Sequence, residues 1–324
     1  MRELSRAVLD LDLEAEAERL SRALRGAVQG LRRRGLVVAV SGGIDSACVA
    51  AIGARALGKD HVHALLLPER DSSPESLRLG TSVCDALGIG RTVEDIAPIL
   101  AAAGCYRHRE EAVRSVFPGF EPSMRWKMVL ASDRLQAGRL SFWQVVVEVP
   151  GGGTRAFRLT PEAYLRILAA TNFKQRTRKM LEYFHADRLN YAVGGTPNRL
   201  EYDQGFFVKL GDGAADVKPI AHLYKTQVYA LAGHLGVPEE VLRREPTTDT
   251  YSLDQSQEEF YFSIDYRRLD LLLWAKDHGV APAEAAPAVD LSAEHVQRVY
   301  DDIDRKRRAA EYLHAAPVLL DSPA

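Results

Sequence analysis

The hexapeptide Ser41-Gly42-Gly43-Ile44-Asp45-Ser46 follows an apolar run and precedes a helical pattern. Residues of these types in this order can grip phosphate. Two glycines let the backbone turn sharply and approach a ligand closely. The N-terminus of the following helix offers N–H groups and partial positive charge. Ser41 and Ser46 add hydroxyl donors. Asp45 alone would repel phosphate, so its place here makes sense as a ligand of a Mg²⁺ ion that carries the phosphate. The Gly-Lys-Ser/Thr ending of a Walker A loop is missing, and the glycines do not have GxGxxG spacing. The bland alternative is a strand–turn–helix corner with Ser46 as a helix cap.

The elements that must position this loop can be read around it. Leu13, Ala17, Leu20, Leu24 and Val28 fall at helical spacing, which predicts an N-terminal amphipathic helix over 13–33. Leu36 to Val40 lacks polar alternation and suits a buried parallel strand. A helix from Ala47 to Leu57, a strand at 61–67, a helix from Pro74 to Ala86 and a strand at 91–96 follow. This alternation predicts an α/β fold with a doubly wound parallel sheet and flanking helices. Residues 105–160 break the rhythm. Phe142–Val149, the turn Pro150-Gly151-Gly152-Gly153 and Arg155–Leu159 predict a β-hairpin inserted into a single domain spanning 1–324. Helical pattern resumes near Lys174 and runs to about His185. Tyr191–Gly194 reads as a fourth strand, and helices are expected at 223–235, 238–244, 264–277 and 292–312.

Composition bounds the class. The chain has 324 residues, 46% hydrophobic and 27% charged, values ordinary for a globular enzyme. A formal net charge of −2 gives no pull toward nucleic acid or an anionic membrane. The three cysteines, Cys48, Cys84 and Cys105, form no CxxC pair and no zinc-type cluster, so a disulfide framework is not expected. No apolar signal core follows the N-terminus, and no run is long enough to span a bilayer. These features place the chain in the cytoplasm. Cys48 is expected to be buried against the sheet, His61 and His63 to be structural, and Trp143 and Trp274 to pack.

The loop at 41–46 resembles the SGGxDS PP-loop of the N-type ATP pyrophosphatases, which split ATP between its α and β phosphates. The downstream half resembles one member of that group, the ammonia-dependent NAD synthetases. Asn172-Phe173-Lys174-Gln175-Arg176-Thr177-Arg178 is similar to that family's Asn-x-x-x-Arg-x-Arg segment. Gly195-Thr196 with Glu201, the run Gly205–Asp216, Leu223–Val228 and Pro246-Thr247-Thr248-Asp249 continue the likeness in order and spacing. It covers about 35–105 and 170–312.

The resemblance implies an adenine nucleotide alpha-hydrolase-like fold and ATP-dependent amidation of deamido-NAD by ammonia, with release of AMP and pyrophosphate. It implies ATP contacts at Ser41, Gly42, Gly43, Asp45, Ser46, Arg70, Thr196, Lys225 and Thr247. Mg²⁺ is assigned to Asp45 and Glu201, and deamido-NAD to Arg176, Lys209, Asp216 and Lys306. Asp45, Lys225 and Asp216 are the catalytic candidates. The family's His-Lys-Arg triplet has Arg305 in place of its histidine here. A homodimer is expected by resemblance, with the helix at 13–33 and later helices supplying apolar faces. Only about 35 residues precede the first strand, so ammonia is expected free or from a separate glutaminase. Two other readings share these motifs: a ligase of the same scaffold acting on another carboxylate, and a catalytically silent nucleotide-binding protein. The hairpin at 141–159 is expected to cover the acceptor side of the site, because it rejoins the chain just before Arg176.

Overall fold

Leu36, Val37 and Val38 are wholly buried because the strand they form, β1 (Leu36–Ala39), is an inner member of a parallel sheet. The computed structural model describes residues 4–131, 142–245, 250–253, 255, 261–262 and 264–320. β1 is flanked by β2 (Val62–Leu66) and β7 (Ala192–Gly194), and β3 (Gly90–Val93) pairs with β2 on the outside. The order β3-β2-β1-β7 is the doubly wound arrangement expected from the alternation of strands and helices.

Alternate residues of the strands feed two cores, as the period of two requires. Leu36, Val38 and Leu66 face α1 (Leu13–Gly30), α2 (Ile44–Leu57) and, later in the chain, α8 (Lys225–His234). α3 (Pro74–Leu87) closes the same side. Val37, Leu65 and Val193 face α4 (Ala97–Ala102), α5 (Cys105–Arg114) and α6 (Pro161–Leu189). The apolar stripe of α1 is consumed in this packing: Ala17, Leu20, Leu24 and Val28 are buried in the chain's own core. That face is not available for the homodimer contact expected of it.

The region at 105–160 holds more structure than a hairpin. β5 (Phe142–Glu148) and β6 (Thr154–Arg158) form the expected antiparallel pair around Gly151, Gly152 and Gly153, all at positive φ. A further strand, β4 (Trp126–Ala131), pairs with β5 to make a three-stranded sheet. It packs Trp126, Met128, Val145 and Val147 against Ala112, Val113 and Ile167.

Helix α6 begins 13 residues earlier than expected, at Pro161 rather than near Lys174. Thr160 caps it by accepting from the Ala163 N–H, and Pro161 stands at the first turn where its missing N–H is harmless. At 29 residues it is about 43 Å long. Its N-terminal half therefore projects past the sheet.

The C-terminal part is helical. α7 (Arg199–Gln204), α10 (Tyr266–Asp277), α11 (Pro282–Val289) and α12 (Ala293–His314) surround a core of Leu200, Tyr224, Leu272, Val296 and Ile303, while α9 (Glu239–Arg243) buries Val241 in the core with α8. The short α7 and α11 were not expected from periodicity. Among the described residues no helix is long and apolar enough to cross a membrane. The three cysteines are buried and free, and burial pushes the Cys48 thiol up.

Candidate active site

The phosphate loop is shaped by contacts that its sequence dictates. Gly42 sits at φ +77°, and a Cβ there would meet the Ser76 carbonyl oxygen at 2.4 Å. Only glycine fits this turn against α3. The Ser46 hydroxyl accepts from the Ser41 N–H at 3.1 Å and donates to the Gly43 carbonyl at 3.0 Å, closing the loop on itself. Helix α2 starts at Ile44, three residues before the expected start, so Asp45 and Ser46 belong to its first turn. Its N-cap is Gly43 and makes no side-chain cap bond. The amide end of α2 is thus left to an anion rather than to a cap.

Asp45 meets two residues from the far half of the chain. The Lys225 ammonium ion-pairs with it, and the Asn198 amide donates to it at 3.0 Å. Asn198 also caps α7: its side-chain oxygen accepts from the Glu201 N–H, while its own N–H donates to the Glu201 carboxylate at 3.2 Å. One asparagine therefore sets Asp45 and Glu201 side by side. Burial, reinforced by the Asp45 charge, pushes the Glu201 carboxyl up to about 8. Burial depresses the Lys225 ammonium, but Asp45 and Glu201 overcome it and hold its pKa above the usual lysine value. Once Glu201 is ionised, two carboxylates with one lysine leave an oxygen-rich site short of positive charge. That donor set suits Mg²⁺, which takes one or two carboxylates plus phosphate oxygens and water. Among the described residues no cluster of three or more histidine, cysteine or acidic side chains could cage a metal without such added ligands.

Lys225 is the first residue of α8, and its position is fixed from below. Asp270 of α10 is fully buried and accepts from the backbone N–H groups of Lys225 at 3.1 Å and Thr226 at 2.7 Å. Burial raises the Asp270 carboxyl to about 6 against the pull of those amides. Sequence reasoning missed Asp270. Its signal is visible: a lone acid inside Leu269-Asp270-Leu271-Leu272-Leu273.

These groups border one cavity of 440 Å³. Ser41, Gly43, Asp45 and Ser46 line it, with Thr196, Glu201 and Lys225. One wall is α6, through Tyr164, Leu168, Thr171, Gln175, Lys179 and Glu182. Eighteen residues separate Tyr164 from Glu182, so the wall runs about 27 Å. At the Glu182 end, burial pushes the carboxyls of Glu182 and Asp212 upward, and Lys179 donates to Glu182 at 2.6 Å. At the other end Met128 and Trp143 of the inserted sheet line it, Trp143 stacking on Tyr164 with centroids 5.2 Å apart.

Several residues named from the sequence lie elsewhere. Arg70 is outside the cavity lining; its guanidinium lies over the Tyr106 ring and donates to Glu110 at 2.9 Å. Among the described residues lining the cavity there is none of Arg176, Lys209, Asp216 or Lys306. Arg176 is exposed and donates to the Lys209 carbonyl, while the Lys209 ammonium donates to the carbonyls of Tyr312 and Ala315. Asp216 accepts from the Val193 N–H at 2.7 Å, and Lys306 pairs with Asp302. Thr247 lies outside the described residues.

A parallel sheet with a glycine-turned phosphate loop, a paired aspartate and lysine and a second carboxylate at its carboxyl edge defines a nucleotide-activating enzyme of the α/β type. The comparisons name the family. The NAD synthase family profile matches residues 16–129 and 153–310, leaving out 130–152, which include the end of β4 and all of β5. The chain is 54% identical over 312 residues to an NH(3)-dependent NAD(+) synthetase of Rhizobium meliloti, covering 96% of this chain and 93% of the relative. It is 56% identical over 313 residues to the protein so named in Mesorhizobium japonicum, covering 96% and 98%. The chain belongs to the NAD synthase family. Among solved structures, an NMN synthetase from Francisella tularensis superposes with a TM-score of 0.66 at 21% identity, covering 97% of this chain and all of that one. An NH3-dependent NAD synthetase from Campylobacter jejuni gives 0.63 at 21% identity, covering 96% and 100%. At that identity the likeness is one of fold.

Proposed function

We propose that this chain joins ammonia to the nicotinate carboxylate of deamido-NAD, using ATP and releasing AMP and pyrophosphate. The observation that carries the reading is the Asp45–Lys225 pair beside Glu201 at the uncapped end of α2. A carboxylate oxygen attacks the α-phosphorus of ATP and the bond to the β-phosphate oxygen breaks. Both partners are anions, so the step needs positive charge placed in advance. Lys225 supplies a fixed cation, and the α2 amides and the Ser41 hydroxyl receive phosphate oxygens, while Ser46 holds the loop closed from within. Asp45 and Glu201 would hold Mg²⁺, which offsets the charge of the phosphates when bound. Ammonia nitrogen then attacks the carbonyl carbon of the acyl-adenylate. AMP leaves, and the nitrogen gives up a proton.

Thr196 is assigned to ATP with the loop. Arg176, Lys209, Asp216 and Lys306 are assigned to the acceptor, as is Thr247 to ATP. The decisive assay supplies ATP, Mg²⁺, ammonium and deamido-NAD and follows products by mass spectrometry. NAD, AMP and pyrophosphate in equal amounts support the reading. Pyrophosphate released with a different carboxylate, and none with deamido-NAD, overturns the acceptor.

A further inference from the structure

The cavity at the phosphate loop has two ends of opposite character. On the reading above it seats two substrates whose reacting atoms meet at the loop, so each end takes the remainder of one of them. The groups assigned to the acceptor gather toward the end formed by Glu182 and Asp212. Asp212 accepts from the Val208 N–H at 2.7 Å, Lys209 follows Val208 in the chain, and Arg176 donates to the Lys209 carbonyl at 3.3 Å. Tyr183, next to Glu182, donates to Asp216 at 3.4 Å. The opposite end is apolar and aromatic. Met128 and Trp143 of the inserted sheet line it, with Tyr164 and Leu168 of α6. From the phosphate loop the cavity reaches this end along the end of β2, Leu65 to Pro68; Val40, just before the loop, donates to the Leu65 carbonyl at 2.8 Å.

Trp143 and Tyr164 are parallel to within 16°, and both are half-buried rather than enclosed. Flat aromatic surface left open at the end of a cavity suits a planar heterocycle, which gains from offset stacking. The seat is fixed in advance. The Trp143 carbonyl accepts from the Leu159 N–H at 2.8 Å, and Trp143 pairs with Leu130 of β4. Tyr164 lies in the first turn of α6, its N–H donating to the Thr160 carbonyl at 2.9 Å. Buried charges hold α6 to the rest of the chain. Lys174 donates to Glu69 at 2.6 Å and to Asp71 and the Thr250 carbonyl at 2.8 Å. Arg109 of α5, with no solvent exposure, donates to the same Asp71 oxygen at 2.8 Å. A buried cluster of this kind adds little stability over apolar packing. What it fixes here is how α5, α6, residue 250 and the loop after β2 sit together.

We infer that Trp143 and Tyr164, with Met128 and Leu168, seat the adenine ring of ATP, so that the inserted sheet supplies a nucleotide-binding residue to the site. This rests on the ATP-dependent reading above and deepens it. Trp143 lies within 130–152, the stretch the family profile leaves out, so the contact belongs to the insertion and not to the matched family pattern. It reverses the expectation that the hairpin covers the acceptor side. That expectation assumed the hairpin rejoins beside Arg176. Helix α6 starts 15 residues before Arg176, which separates the two by about 22 Å.

The test uses the full chain without acceptor. Calorimetry measures binding of Mg²⁺·ATP and of Mg²⁺·tripolyphosphate, which has the phosphates but no base. Trp143→Ala is expected to weaken ATP binding roughly ten- to a hundredfold and to leave tripolyphosphate binding unchanged. Trp143→Phe keeps a flat ring and is expected to restore most of the ATP affinity. Deamido-NAD carries an adenine too, so its KM is measured at saturating ATP and is expected to stay unchanged in both variants. If Trp143→Ala lowers the thermal midpoint, Leu168→Ala on α6 decides, with the same split expected at about threefold. Unaltered ATP binding overturns the seat, and so do equal losses for ATP and tripolyphosphate, which make the effect structural. A KM for deamido-NAD that rises while ATP binding holds gives the ring seat to the acceptor and overturns it as well. A wild-type chain that binds neither probe overturns the ATP reading and this seat with it. Wild-type binding of ATP without use of deamido-NAD overturns only the acceptor assignment and leaves the comparison of the two probes intact.

Discussion

Asp45 and Lys225 stand 180 positions apart in the chain and meet as a partly buried ion pair at the start of α2. Asparagine at position 45 keeps the shape and the Asn198 contact but removes the charge. Pyrophosphate release in Asp45→Asn is expected to fall by at least about a hundredfold, a loss typical of removing one charge-stabilising group. The variant is expected to stay folded, because Glu201 lies close enough to serve as counter-ion to Lys225. Circular dichroism and a pyrophosphate assay check both halves; a folded variant with full turnover refutes the role.

Glu201 gives a pH dependence. Its carboxyl rises from 4.5 to about 8 on folding, through burial first and the Asp45 charge second. Between those values the folded chain holds a proton that the unfolded chain has lost. Stability contributed by this group is therefore present at low pH and declines as pH rises through that window. Glu201→Gln is expected to flatten this decline. Mg²⁺·ATP needs the ionised carboxylate, so the stabilisation it confers is expected to grow over the same window. Thermal melts across the range, with and without Mg²⁺·ATP, read both trends; a wild-type slope that Glu201→Gln leaves unchanged refutes the first.

Asp270 never touches substrate in this arrangement, yet it holds the backbone from which Lys225 projects. Asp270→Asn leaves only one good acceptor oxygen for two N–H groups. A destabilisation of about 1–3 kcal/mol is expected, as for a buried donor left without a partner. Turnover is expected to drop with the KM for ATP little changed, because Lys225 acts most strongly as charge develops. Urea melts and steady-state kinetics test this; a change confined to stability makes Asp270 purely structural.

Why some of these features were legible in the sequence and others were not has a physical basis. The phosphate loop and the sheet could be read because Leu36–Val40 is a continuous apolar strand that enters a double-glycine turn, a local pattern. The meeting of Asp45, Asn198, Glu201 and Lys225 depends on β7 lying beside β1, and came only through family resemblance. Thr160-Pro161 is a helix-start signal for α6, but it stands directly after the strand pattern Arg155–Leu159 and is overshadowed by the stronger motif that begins at Asn172. Arg109 and Lys174 look like surface cations in sequence. Their burial follows from pairing across four segments, which no local pattern reports.

Ammonium, and not glutamine, is expected to support turnover by this chain. Glutamine hydrolysis by a thiol mechanism needs an accessible, activated thiolate. The chain has three cysteines and all are buried. Burial raises Cys84 to about 11 and pushes Cys48 and Cys105 upward as well. Purified protein freed of ammonia should show no NAD formation with glutamine and restored formation on adding ammonium chloride. Equal rates with both nitrogen sources refute this.

A homodimer remains the expected assembly, but through a different surface from α1. The outward face of α6 carries Leu165, Met180 and Phe184, which are 59%, 54% and 58% exposed. Met180 and Phe184 are four residues apart and so lie one above the other on the helix. Arg176 continues the same line one turn earlier. Exposed apolar side chains in a row on one long helix are costly in water, and a second copy of the same helix would bury them symmetrically. Light scattering at micromolar concentration is expected to give twice the chain mass. Met180→Glu with Phe184→Glu is expected to give a folded monomer, because two buried like charges on each side of a two-fold contact repel. A wild-type monomer removes the proposal, and a double variant that stays dimeric moves the contact off α6.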